Sequence, residues 1–397
     1  QPTDEAETLL EHTARLLNRM RQQFLPGVNL PRFGEGDWDD SLQPADPALR
    51  DRMVSAWTAA LMYQTLRRFA LAMDHFGQSR HAAVATEIAD AIEQDFQRHL
   101  MPDGVVAGFA IFDPARHPAR PLEYLLHPSD RRTGIRYRLI PMTRGILSGI
   151  FNPSQAQRHL ELIREHLVCP DGARLMDRPS VYEGGLERTF RRSESAAFFG
   201  REIGLQYVHA HLRYAEALAM VGQAEELWRA LLVVNPIAVD GLVPNAAPRQ
   251  RNCYFSSSDA AFFDRYQAFR EYEKVRRGEV RVEGGWRIYS SGPGIYTSIV
   301  LRHLLGLRRH YGQIEFDPVL PVELNGATCE LTYPTRSLRY VFRVSGTGGG
   351  AQRVRVNGTE LKTWRASNKY RLGGLRTGQA EFEALLKHGE NVVEIEL

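Results

Sequence analysis

Up to residue 312 apolar positions recur every three to four residues in a series of segments separated by loops, and after it they mostly recur every second residue. In 4–24, Leu9, Leu10, Leu16, Leu17 and Met20 fall at helical spacing, with Arg and Glu between them. Phe24-Leu25-Pro26-Gly27 ends that helix, and Pro31 opens a polar run. Pro47 starts a long helix reaching residue 76, whose broad apolar face carries Val54, Trp57, Leu61, Met62, Leu66, Phe69 and Met73. A further helix is predicted over 79–100, stopped by Pro102-Asp103-Gly104. Residues 105–112 are short and mixed, a strand or a buried loop. Residues 114–141, rich in Arg, Pro and His, read as a long loop, and long loops in compact domains are usually functional. Two short helices broken at Asn152-Pro153 are predicted in 142–167, then helices over 193–221, 223–233 and 293–309.

From residue 313 the pattern changes. Val, Leu and Tyr alternate with polar residues in 323–333, 338–345, 353–356 and 391–397, separated by turns such as Asn357-Gly358 and the glycine cluster at 346–350. The expectation is a mainly α unit over 1–312 followed by a small β unit, a sandwich, over 313–397.

One stretch carries more chemistry than any other. Glu35, Asp37, Asp39 and Asp40 lie in Gly34-Glu35-Gly36-Asp37-Trp38-Asp39-Asp40, wrapped around a tryptophan. Like charges this close push some carboxyl pKa values up, and a carboxyl that keeps its proton near neutral pH can act as a general acid. The tryptophan face offers flat apolar area suited to the C–H face of a sugar ring. An acidic helix cap reads equally well here, so both stand. A calcium loop does not, because it wants alternating oxygen ligands and a later bidentate Glu.

Composition narrows the class. The chain has 397 residues, 43% hydrophobic and 24% charged, with a net charge of +3, an ordinary globular balance. Its arginines are scattered among carboxylates, which gives no footprint for nucleic acid. No apolar run reaches membrane-spanning length and no signal-peptide pattern opens the chain. Cys169, Cys253 and Cys329 are odd in number and far apart, so they indicate a reducing compartment and no metal site; a cytoplasmic location is expected.

Gly36-Asp37-Trp38-Asp39-Asp40 resembles the Gly-Asp-Trp-(Asn/Asp)-Asp signature of the inverting phosphorylases of glycoside hydrolase family 94, and its extension through Gln43 is similar to the β-1,2-glucan branch. That branch comprises oligoglucan phosphorylases and the phosphorylase-like region of cyclic glucan synthases. The resemblance implies that Asp40 is the general acid, that Trp38 lines the sugar subsite on the non-reducing side, and that the helices form part of an (α/α)6 barrel. Fewer helices are readable here than such a barrel needs. The family's upstream arginines and aspartate have no counterpart, so an N-terminal segment or partner chain completing the barrel is expected.

Other stretches extend the match. Arg178-Pro179-Ser180-Val181-Tyr182-Glu183-Gly184-Gly185, Phe190-Arg191-Arg192-Ser193-Glu194 and Phe199-Gly200-Arg201-Glu202 place forked donors and acceptors beside aromatics, as vicinal sugar hydroxyls require. The resemblance makes Tyr182, Arg192, Glu194 and Arg201 acceptor-side residues, with Asp37 also on the sugar side; His209 and His211 read as structural. In Tyr254-Phe255-Ser256-Ser257-Ser258-Asp259, hydroxyls and amides could hold an anion, although N-capping is the commoner use. Some family members carry a phosphate-binding His near Ser256. Gly284-Gly285-Trp286-Arg287-Ile288-Tyr289-Ser290-Ser291-Gly292-Pro293 resembles the family's phosphate loop, with Ser290, Ser291 and Gly292 before a helix whose N-terminus favours an anion.

The implied reaction is phosphorolysis of a β-1,2-linked oligoglucan. Asp40 protonates the leaving oxygen while phosphate attacks the opposite face, giving α-glucose 1-phosphate. Phosphate is already an anionic nucleophile, so one carboxylic acid suffices where an inverting hydrolase needs two carboxyl groups. No cofactor beyond the phosphate co-substrate is implied. The alternatives are an inverting β-glucan hydrolase and a non-catalytic glucan-binding or chain-length-controlling module of a cyclic glucan synthase.

Overall fold

Helix α1 (Leu9–Gln22) starts at a capping box in which Thr8 and Glu11 each accept the other's backbone amide. The computed structural model describes residues 6–113, 115, 120–195, 206–237, 239–247, 254–285, 291–346 and 349–397. After the acidic loop, strand β1 (Met53–Ser55) leads into α2 (Ala56–His75), which a tight turn joins to α3 (Ser79–His99). The long helix therefore begins at Ala56 and not at Pro47. Residues Pro47–Asp51 form only a short 3-10 turn, and the Ser55 side chain accepts the Thr58 amide to cap α2.

Strands β2 (Phe109–Phe112) and β3 (Pro121–Leu125) complete a three-stranded antiparallel sheet with β1. Strand β3 lies inside the segment expected to be loop. Pro121 opens it at the edge of the sheet, where a missing N–H costs nothing, and this hides it from an alternation search.

Helices α4 (Leu139–Ser148) and α5 (Pro153–His166) flank the expected break, with Gly149 closing α4 in the left-handed region and Asn152 capping α5. Beyond the small hairpin of β4 (Val168–Cys169) and β5 (Gly172–Ala173) come α6 (Arg191–Ser195), strand β6 (Gln206–Tyr207), α7 (Val208–Val221) and α8 (Ala224–Leu232). The helix expected from 193 onward therefore has its main body only from Val208. Gln206 and Tyr207 are held extended by pairing with Ser258 and Ser257.

Hydrophobic pattern sorts these helices into layers. α4 and α7 bury residues all round, whereas α5 and α8 bury one stripe each, the mark of inner and outer helices. α2 packs on α3 and α4, α4 on α5 and α7, and α7 on α8 and the Ser291–Ile299 helix. Four helices thus follow one another in an arc, the first three carrying hairpin partners.

The Ser291–Ile299 helix widens at Val300–Leu304 and ends at Gly306, whose positive φ and contact with the Asp317 backbone leave no room for a side chain. The switch to strand falls there, at Leu307–His310. Among the described residues two sheets occupy the rest of the chain. One has Leu307–His310 next to Gln313–Phe316. The other centres on Arg336–Arg343 and Gly389–Glu396, paired in parallel. Tyr370 donates its hydroxyl to Ile146 and Phe151 carbonyls, and Arg371 reaches the Ala219 carbonyl while gripping Asp317 with both terminal nitrogens. The β-rich part is thereby tied to the C-terminal ends of α4 and α7. The N-terminal ends of α7 and the Ser291–Ile299 helix stay open. Among the described residues no helix is long and apolar enough to cross a membrane.

Candidate active site

The acidic loop is fixed before any ligand arrives. Phe33 and Gly34 donate backbone amides to Met53 and Arg50, and Gly36 takes a φ of 152° that a side chain would strain. Asp37 then goes inward. Its two oxygens accept Nη1 (3.3 Å) and Nη2 (2.8 Å) of Arg138, the Ser55 hydroxyl and the Asp39 amide (3.0 Å). Both side chains of this ion pair are essentially without solvent exposure, and the Arg138 guanidinium lies 4.8 Å over the Phe109 ring. Ser55 caps α2 with the same oxygen, so one hydroxyl ties the loop to the start of a helix.

Asp39 is also buried, and its Oδ1 accepts the amide and hydroxyl of Ser41 at 3.2 and 2.6 Å, initiating the one-turn helix Asp40–Leu42. Burial pushes its carboxyl up to about 6, against the pull of Arg138 and the Ser41 hydroxyl. A carboxyl raised on folding is penalised once it ionises, so stability contributed at low pH is lost between pH 4 and 6. Asp39→Asn should therefore raise the stability at pH 7, by on the order of 2–3 kcal/mol at most, and leave it unchanged at pH 4. Melting curves at the two pH values check this.

Asp40 is the loop's exposed carboxylate at the cavity. With Trp38, Asp39, Leu175, Tyr207, His209 and Ser291 it lines an open cavity of about 300 Å3. Tyr207 meets Trp38 edge-on at 5.5 Å between ring centroids, and the His209 ring lies 5.6 Å from it. Burial, with Arg213 and Arg144 nearby, lowers His209 to about 4, so its imidazole is neutral at pH 7 and can donate or accept one hydrogen bond. The sequence reading of His209 as structural is corrected here: it stands in the cavity wall. His211 is structural, its ring nitrogens taken by the Ala173 amide and the Ala230 carbonyl. Tyr207 and His209 are brought in by one sheet, in which β6 pairs with Ser257–Ala260 and that strand with Val282–Gly285. A Tyr-x-His at a helix start, after a polar segment, was the available signal.

Ser291 stands on the cavity wall at the start of the Ser291–Ile299 helix. Gly292 is required for a reason other than an anion: a Cβ there would sit 2.4 Å from the Tyr254 hydroxyl, which takes a backbone hydrogen bond from Gly292. Gly292→Ala should lose about 1–3 kcal/mol by overpacking, and Tyr254→Phe in the same chain should recover part of it. Thermal unfolding of the single and double variants checks this. Ser256 is buried and donates its hydroxyl to the Gly285 carbonyl at 3.2 Å.

The described residues expected on the acceptor side lie elsewhere. Tyr182 and Glu194 line a different cavity of about 160 Å3, with Arg132, Arg188 and Thr189. The Glu194 carboxylate accepts three backbone amides, of Arg188, Thr189 and Phe190, at 2.6–2.7 Å, and so shapes the loop. Arg265, not singled out in the sequence, pins this segment by donating to the carbonyls of Ser180, Ser193 and Glu194, with its guanidinium 5.0 Å over Tyr182. Arg192 is exposed on α6, which packs on the Asp40–Leu42 turn, while Gln43 accepts the Arg191 amide. Arg201 and Ser290 lie outside the described residues. No group of three or more metal-binding side chains occurs among the described residues.

Comparisons with known proteins identify relatives of this chain. A 1,2-beta-oligoglucan phosphorylase from Listeria innocua is 44% identical over 374 residues, which cover 94% of this chain and 33% of that protein. The cyclic beta-(1,2)-glucan synthase NdvB of Rhizobium meliloti is 24% identical over 345 residues, 83% of this chain and 11% of that protein. The chain thus spans a third or less of the length of these relatives. Among solved structures, one described as a sialidase superposes with a TM-score of 0.54 at 13% identity, over 92% of this chain and 30% of that one, a likeness of fold alone. The family model for the glycosyl hydrolase 94 superfamily, catalytic domain, matches residues 2–247, and the chain belongs to that family.

Proposed function

We propose that the protein takes part in reversible, inverting phosphorolysis of β-1,2-linked oligoglucan, releasing α-glucose 1-phosphate. One observation carries the choice of phosphorolysis over hydrolysis. The carboxylates lining the cavity, among the described residues, are Asp39 and Asp40, neighbours on one loop. An inverting hydrolase needs its second carboxylate across the sugar, roughly 6.5–9.5 Å from the acid, to activate water. The other walls here present Tyr207, His209 and Ser291, none of them a carboxylate.

In this reading the terminal glucosyl unit rests on Trp38, and Asp40 delivers its proton to the glycosidic oxygen. Phosphate approaches from the side of Ser291, where the start of a helix favours an anion. Asp37, paired with Arg138, holds the acid loop in place. Ser256 and Gly292 shape the phosphate side through the strand and ring they pack on. Ser290 and Arg201 belong to the phosphate and acceptor subsites by their match to the family. Tyr182, Arg192 and Glu194 shape the acceptor side beyond the cavity, with glucan oligosaccharide and phosphate as the substrates.

The arc of inner and outer helices is read as part of an (α/α)6 barrel, and the sheets after Gly306 as a small β-sandwich domain. Arg68, Arg213, Arg302 and Glu216 line a second cavity of about 520 Å3 bordered by all four helices of the arc. Further helices, from an N-terminal segment or a partner chain, would close the ring over it.

The synthetic direction tests the reading: phosphate release from α-glucose 1-phosphate with a β-1,2-linked glucose disaccharide as acceptor. Release that depends on the acceptor supports it. Binding of the disaccharide with no release would leave a glucan-binding module.

A further inference from the structure

Within the acidic loop, hydrogen-bond donors are unevenly distributed. Asp37 accepts four of them, but on Asp39 only Oδ1 is engaged. Asp39 Oδ2 is buried and has no hydrogen-bond partner. The nearest cationic nitrogen, Arg138 Nη2, is 4.0 Å away, beyond hydrogen-bond reach, and already bonds Asp37 Oδ1 at 2.8 Å. Asp39 is one of the residues lining the cavity, between Trp38 and Asp40 in the chain, and its side chain is 2% exposed. An ionised carboxylate with one buried, unpaired oxygen is costly, whereas the same oxygen carrying a proton becomes a donor that a ligand oxygen can satisfy.

We propose that Asp39 acts as a neutral carboxylic acid whose Oδ2–H donates a hydrogen bond to a hydroxyl oxygen of the glucosyl unit held against Trp38. This rests on the oligoglucan reading above and adds a specificity-determining donor to it. The idle oxygen sits one residue from the proposed acid and one from the proposed sugar platform. A site built around a donor of this kind rejects a ligand lacking the matching oxygen, because the buried group is then left unpaired. Below pH 6 it also keeps one negative charge out of a cavity that must admit phosphate beside Asp40. The charged and titratable groups around Asp39 are Asp37 and Arg138 behind it, with Asp40, Tyr207 and His209 on the cavity walls. His209 is neutral throughout the working range, so it does not supply the same pH dependence.

The test has two arms. In the ligand-free protein, the carbon-13 carboxyl signal of Asp39 should titrate near pH 6; titration near 4 overturns the proposal. Affinity for a β-1,2-gluco-oligosaccharide, measured calorimetrically from pH 5 to 8, should fall above pH 6 in the wild type, approaching tenfold per unit. Asp39→Asn carries a permanent donor in the same place, so it should bind about tenfold or more tightly than wild type at pH 8 and show no fall. Asp39→Ala should bind weakly at every pH. If wild type binds and Asn behaves as Ala does, or Asn keeps the wild-type pH dependence, the donor role of Asp39 is wrong. If wild type binds no oligoglucan at any pH, the oligoglucan reading itself falls, and the donor role with it.

Discussion

Asp40→Asn is expected to lower the rate of phosphorolysis by about 10²–10⁴-fold, the usual contribution of a general acid, while leaving folding unchanged. The structure separates these two effects. Asp40 is exposed at the cavity, and no hydrogen bond within the loop depends on its carboxylate among the described residues. Asparagine preserves its shape and removes only the proton it delivers. The loss should appear in kcat with little change in glucan affinity, because in the proposed reading Trp38 and Asp39 make the sugar contacts. A substrate with a good leaving group, such as an activated aryl or fluoride glycoside, needs less protonation and should recover much of the rate. Near-normal turnover of the natural glycoside by Asp40→Asn would remove Asp40 from its role.

The second large effect is on stability. Arg138→Met should cost about 3–5 kcal/mol, since it strands the Asp37 carboxylate in a site with no solvent exposure. Asp37→Leu should cost a similar amount by stranding the guanidinium. The double variant Asp37→Leu/Arg138→Met should be milder than either alone, because two apolar groups replace the pair and no buried charge remains. Urea unfolding of the four proteins measures the coupling. Even where the double variant folds well it should be a poor enzyme, because Ser55 and the Asp39 amide then lose the acceptor that fixes the loop. Equal and additive losses in the single variants would mean that the pair does not act as a unit.

How legible the site was depended on how locally each part is encoded. Trp38 and Asp40 stand in one short run of residues, and the chain order itself exposes them. Arg138 holds Asp37 from 101 residues away and lies in a polar segment whose Arg, Pro and His content reads as loop, so nothing local marks it as buried. Tyr207 and His209 reach the cavity only because β6 pairs with a strand some 50 residues later, a contact that alternation over two residues cannot announce. Glu194 was picked out as a polar side chain among arginines, yet backbone amides of its own loop take its carboxylate. The helices were recovered where capping and period agreed, as at Asn152-Pro153. They were misplaced where a strand abuts a helix, at Val54 and at Tyr207, because a short extended segment continues the apolar run without breaking it.

The most direct test of the central claim is the anomeric form of the first product. The protein is incubated with β-1,2-oligoglucan and phosphate and followed by proton NMR from the earliest turnovers. The account predicts α-glucose 1-phosphate from the start, in amounts that vanish when phosphate is omitted. Free glucose released equally well without phosphate, or β-glucose 1-phosphate as the first product, would contradict it.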